Sequence, residues 1–199
     1  MKGGVFYMKP RFIAITDGSK VKVGNRAFCG VGGVIVDTET SQYTKFSEPV
    51  SYQDTTYAEL YAAKVALRWI LSRLPNTNEK VDVLVVTDSA ILKKILTEGH
   101  QFKSSVLNKL VHWFEEKVTG SKARLNVTAI HIRSHKIEVK PMCEHFRKAG
   151  TNFDTLTVYS LMEFNSVADR LAKEAASKQI NKNRKHFGSY GKYVRRRKF

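Results

Sequence analysis

Cysteine is nearly absent from this 199-residue chain, occurring only as Cys29 and Cys143. Two thiols make no disulfide framework, and reduced cysteines in a cytosolic compartment are the simplest account of them. Long apolar runs are missing too: nothing approaches the ~20 residues of a membrane span, and Met1 to Met8 lacks the apolar segment of a secretory signal. The reading is a soluble, cytoplasmic protein. Acid is scarce, with 18 Asp/Glu against 34 Lys/Arg and a net charge of +16. Nine of those bases and none of the acids lie in residues 178–199, which leaves +7 for residues 1–177. A polyanion is the obvious partner, and because no strongly amphipathic helix precedes the basic end, nucleic acid is favoured over an acidic membrane. Hydrophobic residues, at 42%, suffice for one continuous core, and the length leaves no room for a second full domain.

Arg11 to Thr16 and Cys29 to Val36 are apolar runs separated by a segment containing Gly24-Asn25, a turn signal, which predicts an antiparallel hairpin; Gln42 to Phe46 adds a third strand. From Thr56 to Leu74, the residues Leu60, Ala63, Leu67, Ile70, Leu71 and Leu74 recur at helical spacing until Pro75-Asn76 stops them. Val81 to Val86 is an almost unbroken β-branched run, the pattern of a central strand buried on both faces and parallel to its neighbour. Helices follow at Ser89 to Thr97 and Ser104 to Val118, then a strand at Leu125 to Ser134. The last helix is expected from about Ser166 to Lys178, with Val167, Leu171 and Ala175 on one stripe. Between these, Lys136 to Phe164 holds Pro141, Gly150 and Asn152 and only a weak strand signal near Thr155 to Leu161, so it reads as a long functional loop or small subdomain. The expected organisation is an N-terminal extension (1–10), one α/β domain (11–178, insert 136–164) and a basic, flexible tail (179–199).

Gly30-Val31-Gly32-Gly33 lacks the Lys-Ser/Thr of a phosphate-cradling loop and lies within a strand-like run, so it marks close packing. Trp69 and Trp113 fall in helical patterns and read as core aromatics. Four acids punctuate the elements: Asp17 in Thr16-Asp17-Gly18-Ser19, Glu59 in Ala58-Glu59-Leu60, Asp88 in Thr87-Asp88-Ser89, and Asp169 in Asn165-Ser166-Val167-Ala168-Asp169. Each alone has an ordinary explanation. Thr56 to Glu59 and Ser166 to Asp169 match a capping box, Asp88 suits a helix cap, and Asp17-Gly18 suits a turn. Jointly, they arrive where strands finish and helices start, the edge at which open α/β sheets bind ligands. In this reading Asp17 ends the first strand, Asp88 ends the fourth, Asp169 opens the last helix, and Glu59 projects from the first turn of its helix. Clustered carboxylates repel unless cations sit between them, and hard oxygen ligands favour Mg²⁺ or Mn²⁺. Two such ions ~3.5 to 4 Å apart serve phosphodiester hydrolysis.

The ordered set of these strings, with Ala62-Ala63 and Ala66-Leu67 after Glu59 and Leu171-Ala172 after Asp169, resembles type 1 ribonuclease H over about residues 11 to 178. That resemblance implies a five-stranded mixed sheet with helices on both faces, and Mg²⁺-dependent cleavage of the RNA strand of an RNA/DNA hybrid. It implies that Asp17 bridges two ions, that Asp169 holds the nucleophile-side ion, and that Glu59 and Asp88 hold the other. Gly18, Ser19 and Asn165, in the same motifs, are by that resemblance expected to contact substrate. It also places a catalytic histidine at His135, but 29 residues (136–164) separate it from Asn165 where the family keeps a short loop, so His145 competes for that role. Where the family tends to carry Asn or Gln against RNA 2′-hydroxyls, this chain has Thr55 and Thr56, whose hydroxyls still offer hydrogen bonds.

No basic helical protrusion is present between Thr97 and Ser105. Cys143, His145, His131 and His135 lack the Cys-x-x-Cys spacing of a zinc site, and His100, His112 and His186 read as surface or tail residues. In the tail, Lys192, Arg195, Arg196 and Arg197 interleave with aromatics, a mixture suited to phosphates and unpaired bases. Two rivals to a hybrid-cleaving endoribonuclease stand beside it: a ribonuclease H-like DNA nuclease or junction resolvase, and a noncatalytic nucleic-acid-binding module.

Overall fold

The computed structural model describes residues 9–76, 79–132 and 139–194, with Thr97 and residues 181–194 as backbone only. Its strands are β1 (Phe12–Val23), β2 (Arg26–Asp37), β3 (Gln42–Val50), β4 (Val81–Thr87) and β5 (Leu125–His131), in the sheet order β3-β2-β1-β4-β5. β1, β2 and β3 pair antiparallel; β4 runs parallel to both β1 and β5. β4 is therefore central, and its continuous apolar run is explained by burial on both faces: Val83 and Val85 join one core cluster, Leu84 and Val86 the other. The first cluster is closed by α1 (Thr55–Leu71), α2 (Ala90–Glu98) and α3 (Ser105–Phe114) through Leu60, Leu67, Leu92 and Phe114. The second is closed by α4 (Val139–Lys148) and α5 (Thr155–Val194) through Met142, Phe146, Val158 and Leu161. The architecture is the five-stranded mixed sheet with helices on both faces. Both tryptophans are only partly buried against the first cluster.

The hairpin turn lies at Gly24-Asn25, with Val23 opposite Arg26 and Gly24 at φ +57°, a conformation glycine adopts without strain. β1 is longer than expected. Its parallel pairing ends at Thr16 opposite Thr87, but pairing with β2 continues to Val23. Asp17 thus lies inside β1, at the first residue beyond the reach of β4, and does not end the strand.

The stretch read as a loop with a strand-like segment is helical instead. α4 includes Pro141 in its first turn, where the missing N–H has no helical partner to lose, and buries Met142 and Phe146 one turn apart. Gly150 at φ +83° then reverses the chain, and the Thr151 hydroxyl donates to the Phe146 carbonyl at 2.8 Å. α5 starts at Thr155, eleven residues before the expected Ser166, because Asp154 accepts the Thr157 N–H at 2.6 Å and its carbonyl takes the Val158 N–H at 3.0 Å. The β-branched residues of Thr155 to Val158 suggest strand, yet capping and burial of Val158 and Leu161 decide for helix. At its other end α5 runs to Val194, so the boundary drawn after Lys178 falls inside it.

Candidate functional site

Two close backbone approaches set the site. A Cβ on Gly18 would lie 2.4 Å from the Glu59 nitrogen, so the start of α1 rests directly on β1, with the Glu59 backbone against the residue that follows Asp17. A Cβ on Gly32 would lie 2.5 Å from the Ala172 nitrogen and 2.6 Å from the Ala168 oxygen, and one on Gly30 would lie 2.4 Å from the Ala172 oxygen. Side chains there would lift α5 off β2. The glycine run is thus the close-packing device its position suggests, and it brings Asp169 over the sheet next to Asp17.

None of the ordinary explanations for the acids survives. α1 is capped by Asp54, whose Oδ1 accepts the Tyr57 N–H at 2.8 Å, so the capping box from Thr56 to Glu59 is not formed. Glu59 lies past the first turn. Asp169 is well inside α5, where no helix start exists to cap. Asp88 precedes Ser89, the residue at the cap position of α2, and Asp17 is in mid-strand rather than in a turn.

The acids instead act on one another through their charges. Asp17 is 8% exposed, and its carboxyl is pushed up to about 8, first by burial, then by the charges of Asp88 and Asp169; the Gly18 N–H offsets part of this. The Asp88 carboxyl is raised by burial, with Asp169 adding to the rise and His131 opposing it. Glu59 is raised by burial, then by Asp88 and Asp54, against the neighbouring Ser89 hydroxyl. Two polar atoms here, Thr16 Oγ1 and Asp88 Oδ1, are buried without a close hydrogen-bond partner among the described residues, while the Ser89 hydroxyl faces the Glu59 carboxyl. Buried polar atoms are ordinarily satisfied, so this orphaned set has the chemistry of a site that accepts a hard cation. Asp169 behaves differently: its Oδ2 takes a 2.7 Å ion pair from Lys173, one turn on. Among the described residues, no three His, Cys, Asp or Glu side chains converge tightly enough to clasp an ion in this arrangement.

Gly18 and Ser19 continue β1 past Asp17, Thr55 and Thr56 form the exposed-to-half-buried start of α1, and Asn165 sits one turn before Asp169 on α5. His135, Arg195, Arg196 and Arg197 lie outside the described residues, and Lys192 is described as backbone only. His145 uses its Nε2 on the His131 carbonyl at 2.9 Å, tying α4 to the end of β5. The residue that motif reading missed is His131. It pairs across from Thr87, and its charge lowers the Asp88 carboxyl. Only the β4–β5 register brings it there.

This topology, with acids gathered where β1 outruns β4, defines a ribonuclease H-like fold. LC11-RNase H1, isolated from compost by a metagenomic approach, superposes at TM-score 0.56 and 21% identity, covering 86% of this chain and 99% of that one. RNase H1 from the halophilic archaeon Halobacterium salinarum matches at 0.55 and 20%, over 84% and 98%. LC11-RNase H1 in complex with an RNA/DNA hybrid matches at 0.54 and 21%, over 85% and 99%. No family model matches the chain, and no curated protein sequence does. Among the described residues no helix is long and apolar enough to cross a membrane.

Proposed function

We propose that this chain is a ribonuclease H-like nuclease, specifically a divalent-metal-dependent endoribonuclease that hydrolyses the RNA strand of RNA/DNA hybrids. The observation that carries the reading is the set of raised carboxyls at Asp17, Glu59 and Asp88, with Asp88 Oδ1 orphaned and Asp169 electrostatically linked to two of them. A fold gains nothing from burying acids that repel one another, and a cation relieves both the repulsion and the lost hydration. Asp17, Glu59, Asp88 and Asp169 would hold two Mg²⁺, with Mn²⁺ able to substitute. Bound there, the ions supply an activated water and neutralise charge on the leaving oxygen.

The four carboxylates would hold the ions where a water oxygen could bond to the scissile phosphorus as the P–O3′ bond breaks and O3′ takes a proton, leaving a 3′-hydroxyl and a 5′-phosphate. The Thr55 and Thr56 hydroxyls, at the start of α1, offer contacts to RNA 2′-hydroxyls, the groups that distinguish RNA from DNA. Asp169 Oδ2 is engaged by Lys173, and the absence of a tight acid triad among the described residues favours a second reading, a noncatalytic nucleic-acid-binding module.

A panel of end-labelled RNA/DNA, RNA/RNA, DNA/DNA and branched DNA with Mg²⁺, Mn²⁺ or chelator separates these. The proposal expects loss of only the hybrid's RNA strand, and only with metal. Cleavage of branched or duplex DNA would move the chain to the resolvase-like rival, and salt-sensitive binding with no cleavage would favour the binding module.

A further inference from the structure

An open, shallow surface runs along the outer face of α5, formed by Asp169, Arg170, Lys173, Glu174, Ser177 and Lys178. It begins at an acid of the site, where Lys173 bridges to Asp169 Oδ2 at 2.7 Å, and it follows the helix toward Lys178. Arg170, Lys173, Ser177 and Lys178 are all exposed, while the opposite face of the helix, Ala168, Ala172, Ala175 and Ala176, is fully buried, with the Ala172–Ala176 stretch lying on the β2 glycines. The orientation of the basic face is therefore fixed by packing rather than by the charges themselves.

We propose that this face of α5 is a track for the phosphodiester backbone of a nucleic acid, continuous with the acidic site. The proposal rests on the nuclease reading for what lies at the end of the track, but not for the binding itself. Phosphate fits the groups present: a guanidinium fork, two ammoniums and a hydroxyl donor, against the single acid Glu174 beyond Asp169. From Arg170 to Lys178 the helix rises roughly 12 Å, the axial length of three to four base steps at ~3.4 Å each. Beyond Lys178 the helix backbone carries on to Val194, through sequence holding Lys182, Arg184, Lys185 and Lys192 and no acid. Lys173 has two anionic partners within this scheme, Asp169 in the free protein and a substrate phosphate once metal has claimed the carboxylate.

The test is the salt dependence of binding of the full chain to a fluorescent RNA/DNA hybrid in chelator, where no cleavage intervenes. The triple variant Arg170→Gln/Lys173→Gln/Lys178→Gln is compared with Lys103→Gln/Lys109→Gln/Lys122→Gln, three exposed lysines on or beside α3, across the sheet. Each phosphate contact contributes about 0.9 to the slope of log affinity against log salt; in chelator Lys173 stays on Asp169, so the α5 triple should flatten the slope by about 2, and Arg170→Gln alone by about 1. The α3 triple, with the same loss of charge, should leave the slope nearly unchanged. Equal effects of the two triples, or none from Arg170→Gln, would overturn the track. A wild type that binds with this pattern but never cleaves would remove the hydrolase chemistry and still support the track.

Discussion

Asp17 costs the unliganded protein stability. Its carboxyl is raised from 3.8 to about 8, so between those values the folded state binds a proton that the unfolded chain has released. Stability from this group is present below pH 3.8 and is lost as pH rises toward 8. Asp17→Asn should therefore raise the melting temperature of chelated protein at pH 8 while changing it little at pH 4, and thermal melts at the two values check this. A destabilised Asp17→Asn at pH 8 would contradict the burial that motivates the metal reading. The acids themselves were legible from their strings and order. His131 was not, because a residue near a strand end acquires its neighbour through register, here Thr87 opposite His131, and nothing local to His131 specifies that. Asp169's attachment to Lys173 was open to a reading of helical spacing four residues apart.

At the scale of elements, the contact of α5 with β2 sets where Asp169 stands. Gly32→Ala places a methyl 2.5 Å from the Ala172 nitrogen, backbone that cannot swing aside. The expected cost is about 1 to 3 kcal/mol of stability, as for other overpacked sites. Turnover should fall more than hybrid affinity, since the shift moves an acid of the site and leaves the exposed cations in place. Denaturant melts and steady-state kinetics measure the two; an unchanged kcat would mean that Asp169 does not act through its seat on this helix. The hairpin, α1 and β4 follow from turn residues, periodicity and continuous burial, all local signals. The first half of α5 does not: Thr155, Thr157 and Val158 favour strand by themselves, and the helix is decided by Asp154 at its start and by a core surface from the other end of the chain. α4 was hidden in the same way by Pro141 and Gly150, which punctuate loops when mid-element but here occupy a first turn and a reversal.

Over the whole molecule, charge is unevenly spread. Asp17 is buried, and Glu59, Asp88 and Asp169 half-buried, near the edge where β1 outruns β4, while along the sequence the positive charge is densest from residue 178 onward. Removing everything after Ser177 deletes nine Lys/Arg, and the salt dependence of hybrid binding should flatten by more than the three α5 cations account for; an unchanged slope would show that the basic end does not touch nucleic acid. The composition made a polyanionic partner legible, but not the helix whose backbone runs on to Val194, because nothing periodic and apolar marks it.

The central claim is that these acids do metal-dependent chemistry on RNA, and single-turnover cleavage of an end-labelled RNA/DNA hybrid with wild type and Asp88→Asn, over a Mg²⁺ titration, tests it most directly. The account predicts RNA fragments with 5′-phosphates from the wild type only, rising with Mg²⁺ and abolished by chelator. Asp88→Asn should bind the hybrid normally and lose more rate than the roughly 10- to 100-fold that changes around a metal's ligands cost. Equal cleavage by Asp88→Asn, or cleavage that persists in chelator, would contradict it.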